Sequence, residues 1–252
     1  MSALTHFQAE VAQLFFSLPA SEGFLLAGGA ALLANELTTR PTDDLDFFGQ
    51  RDRVDVVAVR DQFEVAVARR GWSVTRIQDG PTFARLRVAG AHELLVDIAI
   101  DAPPARPPVL SVVGPTFHPE ELGGRKLAAL FGRAEARDFA DVWVLAQRFS
   151  RSLLLYWALQ VDLGIDLSVL AEMMRTLDRF GDDEIPVAPS DVADLRRFFA
   201  NWAVALESTA AQTPDQSSSP RTFTSWHEVP EPFRSQVLAE IEERARRANR
   251  KG

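Results

Sequence analysis

The sequence predicts an α+β protein, with a mixed sheet flanked by helices and then a mostly helical C-terminal region. Three observations carry that prediction. Up to about residue 100, short apolar runs with two-residue alternation interleave with stretches of helical spacing. From about residue 120 onward, helical spacing alone remains. Between the first two strands lies a Gly28-Gly29 turn, and the second strand opens on Asp44-Leu45-Asp46.

The elements follow in order. Phe7, Val11, Leu14, Phe15 and Leu18 recur at helical spacing, and Pro19 ends that helix. A strand is expected at Phe24 to Ala27, a short helix at Ala30 to Leu37 and a strand at Leu45 to Phe48. Val56, Val59, Phe63 and Val67 mark a helix within Val54 to Arg70, stopped by Gly71. Trp72 to Ile77 and Phe83 to Val88 read as paired strands joined through Asp79-Gly80-Pro81. His92 to Ile100 is a third strand, and the proline-rich stretch from Pro103 to Pro108 closes the sheet region.

Glu120 to Ser150 reads as one long helical pattern with a break near Gly132. Leu153 to Leu163, Leu167 to Phe180 and Val192 to Leu206 are further helices, whose Trp157, Met173, Met174, Phe198 and Trp202 read as core. Thr209 to Arg221 is polar enough to be a linker or flexible loop, and a last helix is expected from about Pro232 to Arg247. The division expected is residues 1–150, carrying the chemistry, and a helical region 151–252.

Asp44 and Asp46 are two apart on a strand, so they project to one side. Paired carboxylates repel, and a bound divalent cation relieves that repulsion. A glycine turn ahead of a helix lets phosphate approach the backbone, where the helix N-terminus favours its charge. The same residue types also occur as solvated turn acids and ordinary turns, so both readings stand on spacing alone.

Asp97 sits alone in an apolar strand, where an unpartnered carboxylate is costly and calls for a cation, a donor or a proton. On the long helix, Asp138 falls in the middle of the apolar arc and Asp141 at one side, with Lys126, Arg133 and Arg137 along its edge. These charges read either as functional groups or as a buried salt-bridge network tying the helix to the sheet.

Composition excludes several classes. With no cysteine, the chain has no disulfide, zinc-thiolate site or thiol nucleophile. No apolar run is long enough to span a bilayer, and the N-terminus lacks signal-peptide character, which predicts no membrane partner and a cytoplasmic location. The net charge of -8 argues against a broad nonspecific nucleic-acid surface, though not against a local basic groove. The tail bases Arg244, Arg246, Arg247, Arg250 and Lys251 would suit RNA, or simply the C-terminal dipole of a helix.

Four elements in order carry a resemblance: Gly28-Gly29-x-Ala31-Leu32, then Arg40-Pro41-Thr42-x-Asp44-Leu45-Asp46-Phe47, then the apolar strand with Asp97, then Lys126-Leu127-x-Ala129-Leu130 running on to Arg133, Arg137-Asp138-Phe139 and Asp141. Over roughly residues 20 to 150 the chain resembles the AbiEii/AbiGii-type, MenT-like nucleotidyltransferase toxins. These share the DNA polymerase β nucleotidyltransferase fold.

The resemblance implies an enzyme that transfers NMP from an NTP with Mg²⁺. It implies a toxin acting on an RNA acceptor such as the tRNA 3′ end, paired with a cognate antitoxin protein. It places Gly28 and Gly29 at the triphosphate, Asp44 and Asp46 as catalytic metal ligands, and Asp97 as the third acid. Lys126 would steady phosphates, with Arg137 beside it, and Asp138 would complete the catalytic set. Arg40 and Thr42 would line the site, and Thr42 stands where some relatives carry a modifiable serine.

One departure is the glycine pair itself, because the wider superfamily usually has Gly-Ser there. The hydroxyl contact to phosphate must then come from elsewhere or be absent. Two other functions remain open on sequence grounds: nucleotide transfer to a small molecule such as an antibiotic, and an inactive fold serving as a binding module. Retention of Asp44, Asp46, Lys126 and Asp138 together speaks against the latter.

Overall fold

The protein is described by a computed structural model covering residues 4–212 and, beyond them, 234, 235, 237–239, 243 and 246. The chain divides into two compact units, Met1–Leu122 and Gly123–Gly252.

The first unit is built on a seven-stranded mixed sheet. Its strands are β1 (Phe24–Ala27), β2 (Asp44–Gln50), β3 (Ser73–Asp79), β4 (Phe83–Ala89), β5 (Glu93–Asp101), β6 (Val109–Ser111) and β7 (Gly114–Thr116), in the order β3-β4-β5-β2-β1-β7-β6. β2 runs parallel to β5 and β1 parallel to β7, while the remaining pairs are antiparallel. Three helices belong to this part of the chain: α1 (His6–Phe16), α2 (Gly28–Ala34) and α3 (Val56–Arg69).

One face of the sheet is apolar and covered. Leu45 and Phe47 of β2, Leu86 of β4, and Val96 and Ile98 of β5 are all fully buried on it. α1 and α3 pack against this face: Phe15 stacks on Phe47 with ring centroids 3.8 Å apart, and Phe63 meets Phe15 edge-on. Thr5 and Gln8 form a reciprocal capping box at the start of α1, and the Asp55 carboxylate caps α3. Because side chains alternate along a strand, burying Leu45 and Phe47 turns Asp44 and Asp46 to the opposite face.

The hairpin of β6 and β7 was not expected from sequence. Its strands are three residues each and sit among prolines, too short for a period to register. β7 adds to β1 through Leu26 and Thr116, next to the strand that leads into the glycine turn.

The second unit is helical among its described residues. It contains most of α4 (Pro119–Arg133), then α5 (Ala136–Leu145), α6 (Arg151–Val161), α7 (Leu167–Arg175) and α8 (Val192–Gln212). Gly124 lets α4 lie against α6, since a Cβ there would come within 2.4 Å of the Trp157 backbone. Phe139 of α5 meets Phe199 of α8 edge-on at 5.0 Å, and the Arg151 guanidinium lies 4.5 Å over the Phe198 ring.

The long helical pattern is two helices, and the break expected near Gly132 falls at Ala134, which takes a left-handed φ of 48°. One expectation is corrected here. Residues 209–212 belong to α8 rather than to a loop, while the rest of the expected 209–221 linker lies outside the described residues. The final helix is described only at 234, 235, 237–239, 243 and 246, which are helical. Among the described residues, no helix is long and apolar enough to cross a membrane.

Candidate functional site

The glycine turn and the paired acids meet across β1 and β2. Ala27, the residue before the turn, is in register with Asp46. Gly28 has a φ of +60°, and a Cβ there would lie 1.7 Å from Asp46 Oδ2, so the Asp46 carboxylate rests directly against the glycine. Both the backbone conformation and the close approach demand glycine.

Gly29 is equally confined. A Cβ there would meet Thr42 Oγ1 at 2.7 Å and Arg40 Nη2 at 3.4 Å. The Thr42 hydroxyl donates to Asp44 Oδ1 at 2.6 Å, and the Thr42 carbonyl accepts from the buried Gln8 Nε2 at 2.6 Å. The Thr42 hydroxyl therefore sits at the glycine turn, held over one of the two acids. Arg40 donates through Nη1 to the Pro41 carbonyl.

Asp97 joins from the next strand. In the parallel pairing of β2 and β5, Asp46 is in register with Asp97, so both carboxylates are on the same face. Asp97 is 8% exposed, and the partner its burial calls for is Arg85 on β4, directly opposite it in register. Arg85 donates Nε to Asp97 Oδ1 at 2.8 Å and Nη2 to Oδ2 at 2.6 Å, a bidentate fork. Those bonds from Asp97 are the largest cause raising the Arg85 pKa above the ordinary guanidinium value. Desolvation opposes them, and the charges of Asp97, Asp46 and Asp44 add to them. One row across the sheet thus reads Arg85, Asp97, Asp46, Ala27, with Asp44 two residues along on the same face.

The second unit holds the other charged residues singled out in the sequence. Lys126 on α4 and Asp141 on α5 form a buried pair, Nζ to Oδ2 at 2.8 Å. Asp138 is fully buried. It accepts Nε and Nη2 of Arg133 at 2.8 and 2.9 Å and the Glu135 backbone N–H at 3.2 Å. Both pairs join α4 to α5 across the Ala134 break. Arg137 donates to Glu135 at 2.7 Å on the exposed start of α5.

Residues 13–229 match the family described as "Nucleotidyl transferase AbiEii toxin, Type IV TA system". The chain belongs to that family. It is accordingly a nucleotidyltransferase of the toxin type. Its fold is similar to that of solved nucleotidyltransferases. A candidate nucleotidyltransferase from H. pylori matches with a TM-score of 0.53 at 17% identity, over 85% of this chain and 98% of that one. JHP933 from Helicobacter pylori matches at 0.50 and 18%, over 82% and 94%. MenT4, a nucleotidyltransferase toxin from Mycobacterium tuberculosis, matches at 0.52 and 17%, over 92% and 89%. No curated protein matches the chain.

The oxygen-only donor set of Asp44 and Asp46, two apart on one strand face, fits a hard divalent cation. Among the described residues, no group of three acidic or histidine side chains is drawn together as a metal site. The third carboxylate, Asp97, is in register but engaged by Arg85. Sequence reasoning missed Arg85. The alternation of Ala84, Leu86 and Val88 against Arg85 and Arg87 makes Arg85 read as an ordinary solvent-facing strand residue.

Proposed function

We propose that the protein is an Mg²⁺-dependent transferase that moves NMP from an NTP to an RNA acceptor such as the tRNA 3′ end, and that a cognate antitoxin restrains it. Family membership supports the class of reaction and the toxin role. The observation that carries the chemistry is the row of acids beside a turn in which neither glycine has room for a side chain.

Asp44 and Asp46 would hold the cation, which would neutralise phosphate charge and polarise the reacting phosphoryl group. The backbone of Gly28 and Gly29 faces the triphosphate, with Arg40 and Thr42 lining the approach. The attacking hydroxyl oxygen bonds to the α-phosphorus as the bond to the bridging oxygen breaks, and pyrophosphate leaves. Asp97, once released from Arg85, joins Asp44 and Asp46 and accepts the proton of the attacking hydroxyl.

Lys126, positioned by Asp141, and Arg137 absorb the growing charge on pyrophosphate. Asp138 belongs to this set through Arg133, which it orients. In this reading residues 1–150 carry the chemistry and 151–252 serve acceptor recognition.

The test is incubation of the purified protein with Mg²⁺, one labelled NTP at a time and total tRNA. Label should enter the RNA, and Asp44→Ala or Asp46→Asn should abolish it while the melting temperature holds. Expression without an antitoxin should arrest growth. Labelling of a small hydroxyl or amino compound with none in tRNA would replace the RNA acceptor by a small molecule. Full transfer by the Asp44/Asp46 double variant would remove the metal assignment.

A further inference from the structure

The strand face that carries the acids also carries their counter-charge. Arg85 is in register with Asp97, and Asp97 is in register with Asp46, so the guanidinium is placed at one end of the row of carboxylates. It takes both oxygens of Asp97, and the charges of Asp46 and Asp44 act on it as well. Its side chain is 44% exposed while Asp97 is nearly buried, so the cation has room to swing away and the carboxylate does not. The ring of Phe83, on the same strand and face, lies 5.6 Å from the guanidinium carbon and supports the arm.

We infer that Arg85 is a built-in counter-ion that masks Asp97 from divalent cations, so that while the fork holds Asp97 does not join Asp44 and Asp46 in binding one. This rests on the metal role proposed above for those two acids. Two physical effects support it. A carboxylate whose two oxygens each accept a short guanidinium bond has its strongest donor directions filled and its charge neutralised. A fixed positive charge beside a site also opposes entry of a second cation, and the opposition is large at low effective dielectric.

The functional consequence is an order of assembly. A cation is held weakly until a triphosphate brings its own negative charge, so the metal enters with the nucleotide rather than ahead of it. Arg85 is then a positioning residue: it acts on the reaction through Asp97.

The test reads cation affinity rather than activity, using Mn²⁺ as the probe, with electron paramagnetic resonance titration of the full chain in the absence of nucleotide. Arg85→Gln removes the charge and should tighten Mn²⁺ binding by at least about tenfold, given the strength of a neighbouring charge in such a site. Combining it with Asp97→Asn should erase the gain, because the gain comes from freeing Asp97. Asp97→Asn alone should leave the affinity within about twofold of wild type, since a masked carboxylate is already lost to the ion. That variant keeps the side-chain shape and accepts one bond from Arg85, so it tests the idea even if Arg85→Gln folds poorly.

Unchanged or weaker Mn²⁺ binding in Arg85→Gln, or a drop of more than fivefold in Asp97→Asn alone, overturns the mask. If the mask fails while Asp44→Asn and Asp46→Asn still lose the ion, the metal reading stands without it. If neither of those two variants weakens Mn²⁺ binding, the metal reading and the mask fall together.

Discussion

Gly29 and Thr42 divide between them a space that holds one side chain. Thr42 is tethered by its hydroxyl bond to Asp44 and by Gln8 on its backbone carbonyl. Gly29→Ser should therefore push Thr42 off Asp44, raising the KM for NTP and lowering the melting temperature. Adding Thr42→Ala should recover most of the nucleotide binding, with the new serine hydroxyl taking the threonine's place. Additive losses in the double variant would show that the two positions do not share the space. At this scale the sequence was uneven. Asp44 and Asp46 were legible because a period of two fixes which side chains share a face, and Asp97 because a lone acid in an apolar strand needs a reason. Arg85 was not, because what distinguishes it from Arg87 is a register 12 residues away across the β4–β5 pair.

The junction of α4 and α5 shows what an element can hide. A periodic pattern continues through residues 120–150 because both helices bury apolar residues, and nothing in that pattern marks a left-handed residue at Ala134. The readable signal was Glu135 followed three positions later by Asp138, whose carboxylate returns to the Glu135 N–H and so caps the new helix. Asp138 also carries both bonds from Arg133, so Asp138→Asn weakens a half-exposed charged pair and a helix start together. It should cost about 1–3 kcal/mol, read by thermal or urea unfolding. Specific activity per folded molecule should fall far less than stability does. Full stability with lost activity would instead make Asp138 a group that touches the reacting atoms. Ala134 offers a second check: Ala134→Gly relieves a left-handed backbone cost of about 1 kcal/mol and should raise the melting temperature.

At the scale of the whole molecule, a net charge of -8 must coexist with the polyanionic acceptor proposed above. On that proposal, phosphate contact by residues 1–150 adds to the acceptor recognition of 151–252 and rests on a small number of local bases: Arg87, exposed on the sheet face that carries the acids, and Arg125, Arg133 and Arg137 of the second unit. Transfer to tRNA should fall steeply between 50 and 200 mM salt, roughly in proportion to the few phosphates engaged, while transfer to a small acceptor should barely change. Flat salt dependence with tRNA would mean that contacts other than phosphate hold the acceptor. The class of architecture was legible here, because strand and helix periods segregate along the chain. The placement of β7 beside β1 was not, because a three-residue strand carries no period.

The parallel pairing of β2 with β5 has a kinetic meaning. β3, β4 and β5 can zip as consecutive antiparallel neighbours, whereas Asp46 and Asp97 are separated by roughly fifty residues of chain, and closing so long a loop makes their pairing a late, slow event. During synthesis the acid row cannot exist until β5 has left the ribosome and docked on β2. A growing chain, or one cut short before β5, therefore carries the glycine turn and the Asp44-Leu45-Asp46 strand without Asp97 in register beside them. For a nucleotidyltransferase of the toxin type, the acid row is assembled only after the whole of the sheet's central strands has been translated.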